Sequence, residues 1–309
     1  MTRDAGNPDQ TLDGVLVIDK PAGPTSHDVV AYIRRTLRLT RVGHTGTLDP
    51  MATGVLPLVL GRATRLARFL FSGVKTYSAT IRLGIATDTY DALGTPVAAP
   101  ISTTPAVDTA ALDLVLDRFR GTFDQSPPPF SAKKLGGTRA YALARLGRSV
   151  QPAPVSVTVT HLERLWIGEG RLALRVTATA GFYVRSLAHD LGAALGCGAH
   201  LEALRRERSG EFFLAQASRL EEIERAPSVA ATRLVPLARL DLGLPSVVLS
   251  NQGRRFALHG RTIPPGELVD PPAAPGFART EVRLLDGRGE VVAVAESRDG
   301  ALHPRVVLV

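Results

Sequence analysis

Strand-like and helix-like segments follow one another along this chain without strict alternation. That order favours an α+β fold over a doubly wound parallel sheet. Residues 14–18 form an apolar run of strand length. Ser26 is placed to cap a helix whose Val29, Val30, Ile33 and Leu37 share one face. A second apolar run, 55–60, precedes a helical pattern over 62–71 with Leu66, Phe69 and Leu70 inward. Tyr77, Ala79, Ile81 and Leu83 alternate with Ser78, Thr80 and Arg82, which predicts a strand with one buried face. Residues 107–119 predict a helix with Leu112, Val115, Leu116 and Phe119 aligned. Alternation over 155–159 and 172–176 predicts two more strands. Residues 183–195 read as a helix closed by Gly196, and Leu204 reads as a helical leucine. Ser218 and Glu221 have the spacing of a capping box ahead of another short helix.

The texture changes near the C-terminus. Residues 227–245 read as a linker or docking strip, followed by short strand-like pieces split by glycine and proline at 247–249, 281–285, 291–295 and 306–309. That pattern predicts a small β domain. The expected division is a polar, disordered tail over 1–13, a main domain over 14–243 and the β domain over 244–309.

Composition sets outer limits. The chain has 309 residues, of which 44% are hydrophobic, enough for one large and one small core and too apolar for global disorder. The formal net charge of +8 suits an anionic partner. Of the 37 cations only Lys20, Lys75, Lys133 and Lys134 are lysines, and the arginine of the rest suits forked contacts to phosphate. Cys197 is the sole cysteine, which excludes an internal disulfide and any cysteine-rich metal site. The sequence contains no HExxH, Walker A or GxGxxG pattern, so no cofactor and no metal is expected. No apolar run reaches membrane-spanning length, and the acidic N-terminus does not read as a signal peptide, so a cytoplasmic protein without membrane attachment is expected.

One local feature points to chemistry. Between Asp28 and Asp88 the only carboxylate is Asp49, among nine cations: Arg34, Arg35, Arg38, Arg41, Arg62, Arg65, Arg68, Lys75 and Arg82. Positive neighbours favour the ionised form of a carboxylate and attract polyanions, nucleic acid above all. Gly43, Gly46 and Gly54 surround Asp49, and Pro50 drives it towards extended backbone, so the carboxylate is expected at a loop tip. A nucleophile or base offered to nucleic acid is one reading. A glycine-rich turn whose Asp bonds its own backbone is the other, and spacing alone favours it.

Residues 125–162 contain no acid and five cations: Lys133, Lys134, Arg139, Arg145 and Arg148. A short helix is expected over about 139–146, ended by Gly147. So long an excursion between strands reads either as a functional insertion or as a solvated basic loop.

The string Gly43-His44-Thr45-Gly46-Thr47-Leu48-Asp49-Pro50-Met51-Ala52-Thr53-Gly54 resembles the catalytic motif of the TruB family of tRNA pseudouridine synthases. Residues 15–23 resemble the family's opening strand and Lys-Pro motif, 75–84 its tyrosine motif, 181–187 its arginine motif, and 195–206 its leucine motif. They occur in family order over about two thirds of the chain.

The resemblance implies a pseudouridine synthase fold: a central mixed or antiparallel β-sheet flanked by helices, with a PUA-like RNA-binding module at the C-terminus. It implies a stand-alone enzyme, monomeric and without an obligate protein partner, acting on the T-arm stem-loop of tRNA at the uridine of conventional position 55. Asp49 becomes the nucleophile, Tyr77 the residue stacked on the flipped uracil, and Arg185 the partner that orients Asp49. Leu204 becomes an apolar wall, His44 the filler of the gap left by the base, and Lys20 a support of the site. The insertion, about 125–152, becomes an arm that clamps RNA through Lys133, Lys134 and Arg139. Phe182 and Phe130 depart from the family pattern, where a small hydroxyl residue and a tyrosine are usual. A non-catalytic tRNA-folding chaperone and a glycosidase pairing Asp49 with Asp88 or Asp91 are the competing functions.

Overall fold

The computed structural model describes residues 12–71, 73–97, 108–130, 134–135, 138–139, 153–269 and 280–308, the two short pairs by backbone alone. β1 (Gly14–Lys20) leads into α1 (Ser26–Thr36), then β2 (Val42–His44) and β3 (Thr53–Leu60). A 3-10 turn and α2 (Ala67–Phe71) precede β4 (Lys75–Leu83), α3 (Thr109–Asp117) and β5 (Gly121–Gln125). β6 (Lys134–Leu135) and β7 (Thr138–Arg139) pair with each other. β8 (Val155–Gly168), β9 (Arg171–Ala178), α4 (Val184–Ala194), β10 (Ala199–Ser209), β11 (Phe212–Phe213) and β12 (Ser218–Arg219) follow. After α5 (Leu220–Arg225), α6 (Val229–Arg233) and β13 (Val235–Pro236), the chain enters β14 (Ser246–Val248) and α7 (Asn251–Leu258). It ends in β15 (Glu281–Leu285), β16 (Val291–Arg298) and β17 (Ala301–Val307).

The main sheet runs β12-β1-β3-β10-β4-β9-β8-β5, with β2, β11 and β13 attached to β3, β10 and β1. Pairing is antiparallel except at β1–β12 and β3–β10, so the sheet is mixed. β14-β15-β16-β17 form a separate sheet. The architecture is α+β with a C-terminal β-sheet domain, as the unalternating order of elements predicts.

β1 and β3 are apolar on both faces because both faces are covered. Leu16, Ile18, Leu56 and Leu58 pack with the helices, whereas Val15, Val17, Val55 and Val59 pack towards Val291, Val294 and Leu308 of the C-terminal domain. Three cations of the basic field also serve this junction. Arg62 and Arg65 donate to the carbonyls of Leu308 and Val307, and Arg68 pairs with Glu281 at 2.5 Å.

Several local expectations change. Thr25, not Ser26, caps α1, in a reciprocal box with Asp28, and Ser26 turns inward to the Asp49 loop. Leu204 lies in a strand, β10, not a helix. At the start of α5, Arg219 N donates to Glu222 Oε2 at 3.2 Å, while Ser218 is buried in β12. Arg139, expected in a helix, lies in β7, and residues 140–152 fall outside those described. Asp13, expected in the tail, accepts from Arg62 backbone N at 2.6 Å and Nε at 2.7 Å, while 1–11 fall outside those described. The strip 227–245 packs closely: Val235 pairs with Val15, and Leu237, Leu240 and Leu242 are buried.

Candidate active site

The Asp49 loop, residues 45–52, joins β2 to β3 and is held by its backbone. Leu48 N donates to Ser26 Oγ at 2.8 Å, and Ser26 Oγ donates back to Leu48 O at 3.1 Å. Gly23 N donates to Pro50 O at 2.8 Å. Lys20, fully buried at 0% exposure, donates from Nζ to the carbonyls of Pro21 at 2.8 Å, Ala52 at 2.8 Å and Pro50 at 3.2 Å. Loss of water around its ammonium lowers its pKa to about 8; Asp49 opposes that shift and Arg206 adds to it.

From the other side the loop is latched by Arg206. Its Nε donates to Val55 O at 2.7 Å, Nη2 to Gly46 O at 3.0 Å and Nη1 to Thr47 O at 3.3 Å. The latch requires a close approach of two backbones. Gly54 sits at φ +100, and a Cβ there would lie 2.2 Å from Arg206 O, so only glycine fits.

Asp49 keeps 32% of its side chain exposed and meets Arg185, whose side chain is 7% exposed. Arg185 Nε approaches Asp49 Oδ2 at 2.9 Å as an ion-pair contact, and Nη2 donates to Oδ1 at 3.2 Å. The same guanidinium lies 3.5 Å from buried Asp91 Oδ2 and donates to Thr89 O at 3.2 Å and Phe130 O at 3.0 Å. A guanidinium fixed by this many acceptors can present one orientation to Asp49.

Tyr77 is buried on β4 opposite Arg206, and Leu204 is buried on β10 opposite Ala79. Burial raises the Tyr77 pKa, against an opposing pull from Arg206, so the phenol is protonated at neutral pH. Lys75 lies close by, its ammonium donating to Phe71 O at 3.0 Å and Gly73 O at 2.9 Å. Its pKa is lowered to about 8, by burial first and Arg206 second. His44 is half-buried at the loop's start; Gly46 N donates to its Nδ1 at 3.3 Å. Burial, then Arg206 and His27, lower its pKa, which fits a neutral ring.

The structure therefore gathers Asp49, Arg185, Tyr77 and Lys20, with His44 at the end of β2 where the loop begins and Leu204 on the strand beside Tyr77. The backbones of Lys134 and Arg139 pair in the β6–β7 ladder, and Lys133 lies outside the described residues. Arg206 has no assigned role in the sequence, and Asp91, there only a possible second carboxylate for a glycosidase, sits instead on the Arg185 guanidinium. The signal for Arg206 is its place two residues after Leu204 on one strand face, which a helical reading of that segment conceals. Among the described residues, no group of three or more His, Cys, Asp or Glu side chains is placed to hold a metal ion, and no helix is long and apolar enough to cross a membrane.

Residues 34–184 match the model of the TruB family pseudouridylate synthase N-terminal domain, and residues 185–240 that of the tRNA pseudouridylate synthase B C-terminal domain. The chain is 44% identical over 304 residues to tRNA pseudouridine synthase B of Solibacter usitatus (strain Ellin6076), covering 96% of this chain and 100% of that protein. It is 42% identical over 300 residues to the protein of the same name from Azoarcus sp. (strain BH72), covering 96% and 95%. Among solved structures, a chain of a Cbf5-Nop10-Gar1 complex superposes with a TM-score of 0.74 at 28% identity, over 98% of this chain and 91% of that one.

Proposed function

This chain belongs to the TruB family of pseudouridylate synthases, and from that premise we propose that it converts the T-loop uridine at conventional position 55 of tRNA to pseudouridine, with Asp49 as nucleophile. As a tRNA pseudouridine synthase it is an isomerase. The reaction breaks the bond from ribose C1′ to uracil N1, turns the ring, joins C1′ to C5, releases the C5 proton to water and takes up one proton at N1. The net composition is unchanged, so a nucleophile, routes for those two protons and a pocket for an extruded base are enough.

The observation that carries the reading is the Asp49–Arg185 pair: a carboxylate that is paired with a buried guanidinium, oriented by it and still reachable by a ligand, beside a buried tyrosine. Asp49 attacks either C1′ or C6 of the flipped nucleotide. Tyr77 stacks on the uracil, and as a protonated phenol it first serves as a hydrogen-bond donor. Leu204 walls the pocket, His44 fills the gap in the RNA stack, and Lys20 sets the loop without touching substrate. Residues 125–152 clamp the RNA backbone through Lys133, Lys134 and Arg139. Residues 244–309 form a PUA-like module that adds to tRNA binding. The enzyme works as a monomer, without a protein partner.

The test is tritium release from an unmodified tRNA transcript carrying 5-tritiated uridine. Release is expected, and it is expected to vanish when the T-loop uridine is replaced by cytidine. Binding without release would indicate a folding chaperone, and free uracil a glycosidase.

A further inference from the structure

α4, which carries Arg185, begins at Val184 with Tyr183 at its N-cap, a residue outside the small polar set that usually opens a helix. Gln125, the last residue of β5 and only 2% exposed, meets that backbone from the side. Its Nε2 donates to Tyr183 O at 3.0 Å, and Tyr183 N donates to its Oε1 at 2.8 Å. Next along both segments, Ser186 Oγ donates to Ser126 O at 2.7 Å. Arg185 Nη2, the nitrogen that donates to Asp49, also donates to Phe130 O. The segment 125–130 leads into the basic insertion. It is therefore bonded to the start of α4 at three positions: the backbone of the cap residue Tyr183, the guanidinium of Arg185 and the hydroxyl of Ser186.

We propose that Gln125 is a positioning residue for the reaction: its amide locks the start of α4 to the root of the insertion, and so holds Arg185 in the orientation that grips Asp49. The proposal rests on the role given to the Asp49–Arg185 pair above. A primary amide donates and accepts at once, which matches the N–H and C=O of Tyr183 together. Glutamate keeps the acceptor but sets a negative oxygen against the Tyr183 carbonyl. Methionine keeps the length and burial but offers neither group. Phe130 takes part through its carbonyl alone, so a phenylalanine in place of the family's usual tyrosine leaves this contact intact. Displacing a catalytic arrangement by about an ångström costs on the order of a hundredfold in rate, so a loosened α4 start is visible in turnover.

The experiment measures single-turnover rates at saturating unmodified tRNA transcript, with Kd and Tm, for wild type, Gln125→Met, Gln125→Glu, Arg185→Lys and the double variant Gln125→Met/Arg185→Lys. Gln125→Met is expected to slow the reaction by more than about fivefold with Kd unchanged, and Gln125→Glu to fall between it and wild type. The double variant is expected to match Arg185→Lys alone, because residues acting through one group are not additive. A smaller loss, or a loss that multiplies fully in the double variant, overturns the proposal. If Gln125→Met does not fold, Ser186→Ala decides, since it cuts only the Ser126 bond: a slower reaction at unchanged Kd supports the proposal, and an unchanged rate overturns it. An inactive wild type would instead overturn the functional reading. An active wild type with a crippled Arg185→Lys and a normal Gln125→Met overturns the positioning role alone.

Discussion

Arg206 stands opposite Tyr77 across the β10–β4 ladder, and its fully buried guanidinium is met by the carbonyls of Gly46, Thr47 and Val55. The charge serves as a latch on the Asp49 loop and as a source of positive potential for Tyr77, Lys20, Lys75 and His44.

Arg206→Met would remove the guanidinium from all three carbonyls, two of which, those of Gly46 and Val55, it meets in buried contacts. Each orphaned buried acceptor costs about 1–3 kcal/mol, partly offset by removing a buried cation. A net loss of roughly 3 kcal/mol is expected in urea unfolding, together with loss of turnover. An unchanged urea midpoint would show that the loop holds itself.

Asp49→Asn keeps the shape of the side chain but removes its charge and nucleophilicity. Turnover is expected to vanish while tRNA affinity stays near normal. A residual rate within about tenfold of wild type, or about 1.4 kcal/mol in barrier, would remove Asp49 from the nucleophile's place.

The depressed pKa of Lys75 makes stability depend on pH. Below about pH 8 the ammonium is charged in both states, and the folded protein bears the cost of burying it. Between about 8 and the unfolded value of 10.5, the folded lysine is neutral while the unfolded one still holds its proton. The unfolded state then binds more protons, so stability rises with pH across that window. Wild type is expected to gain stability relative to Lys75→Met between pH 8 and 10.5, measured by denaturant unfolding at stepped pH. A constant difference would contradict the depressed value.

The basic insertion is tested by salt. Neutralising Lys133, Lys134, Arg139, Arg145 and Arg148 together is expected to weaken tRNA binding and to lower the slope of log affinity against log salt by about one unit per lost phosphate contact. Turnover at saturating RNA is expected to survive. An unchanged slope would make the segment a solvated loop.

The parts of this molecule legible in its sequence are those where local pattern and tertiary burial agree. β4 alternates cleanly because one face is core and the other is not. The Asp49 loop announces itself by its glycines and its isolation among cations. β10 misleads for a physical reason: a bulge between Leu201 and Ala203 shifts the strand's register, so Leu201 and Leu204 fall three apart, as on a helix. That false period also hides Arg206. α7 escapes notice because little of it is apolar; its start rests on Ser250 Oγ accepting from Gly253 N, and its burial on Ala257. The surface-like charge of Arg62, Arg65 and Arg68 conceals a domain junction, since composition cannot distinguish a cation facing RNA from one facing a neighbouring carbonyl.

The latch between Arg206 and Gly46 spans 160 residues of chain. During synthesis at about 5–20 residues per second, the Asp49 loop leaves the ribosome roughly 8–30 s before the arginine that secures it. An unfinished chain can expose its basic segments to RNA in that interval, but its carboxylate lacks the fixed geometry of the finished enzyme. Competence is thus timed by strand order: β10, inserted between β3 and β4, arrives after both and brings the latch with it.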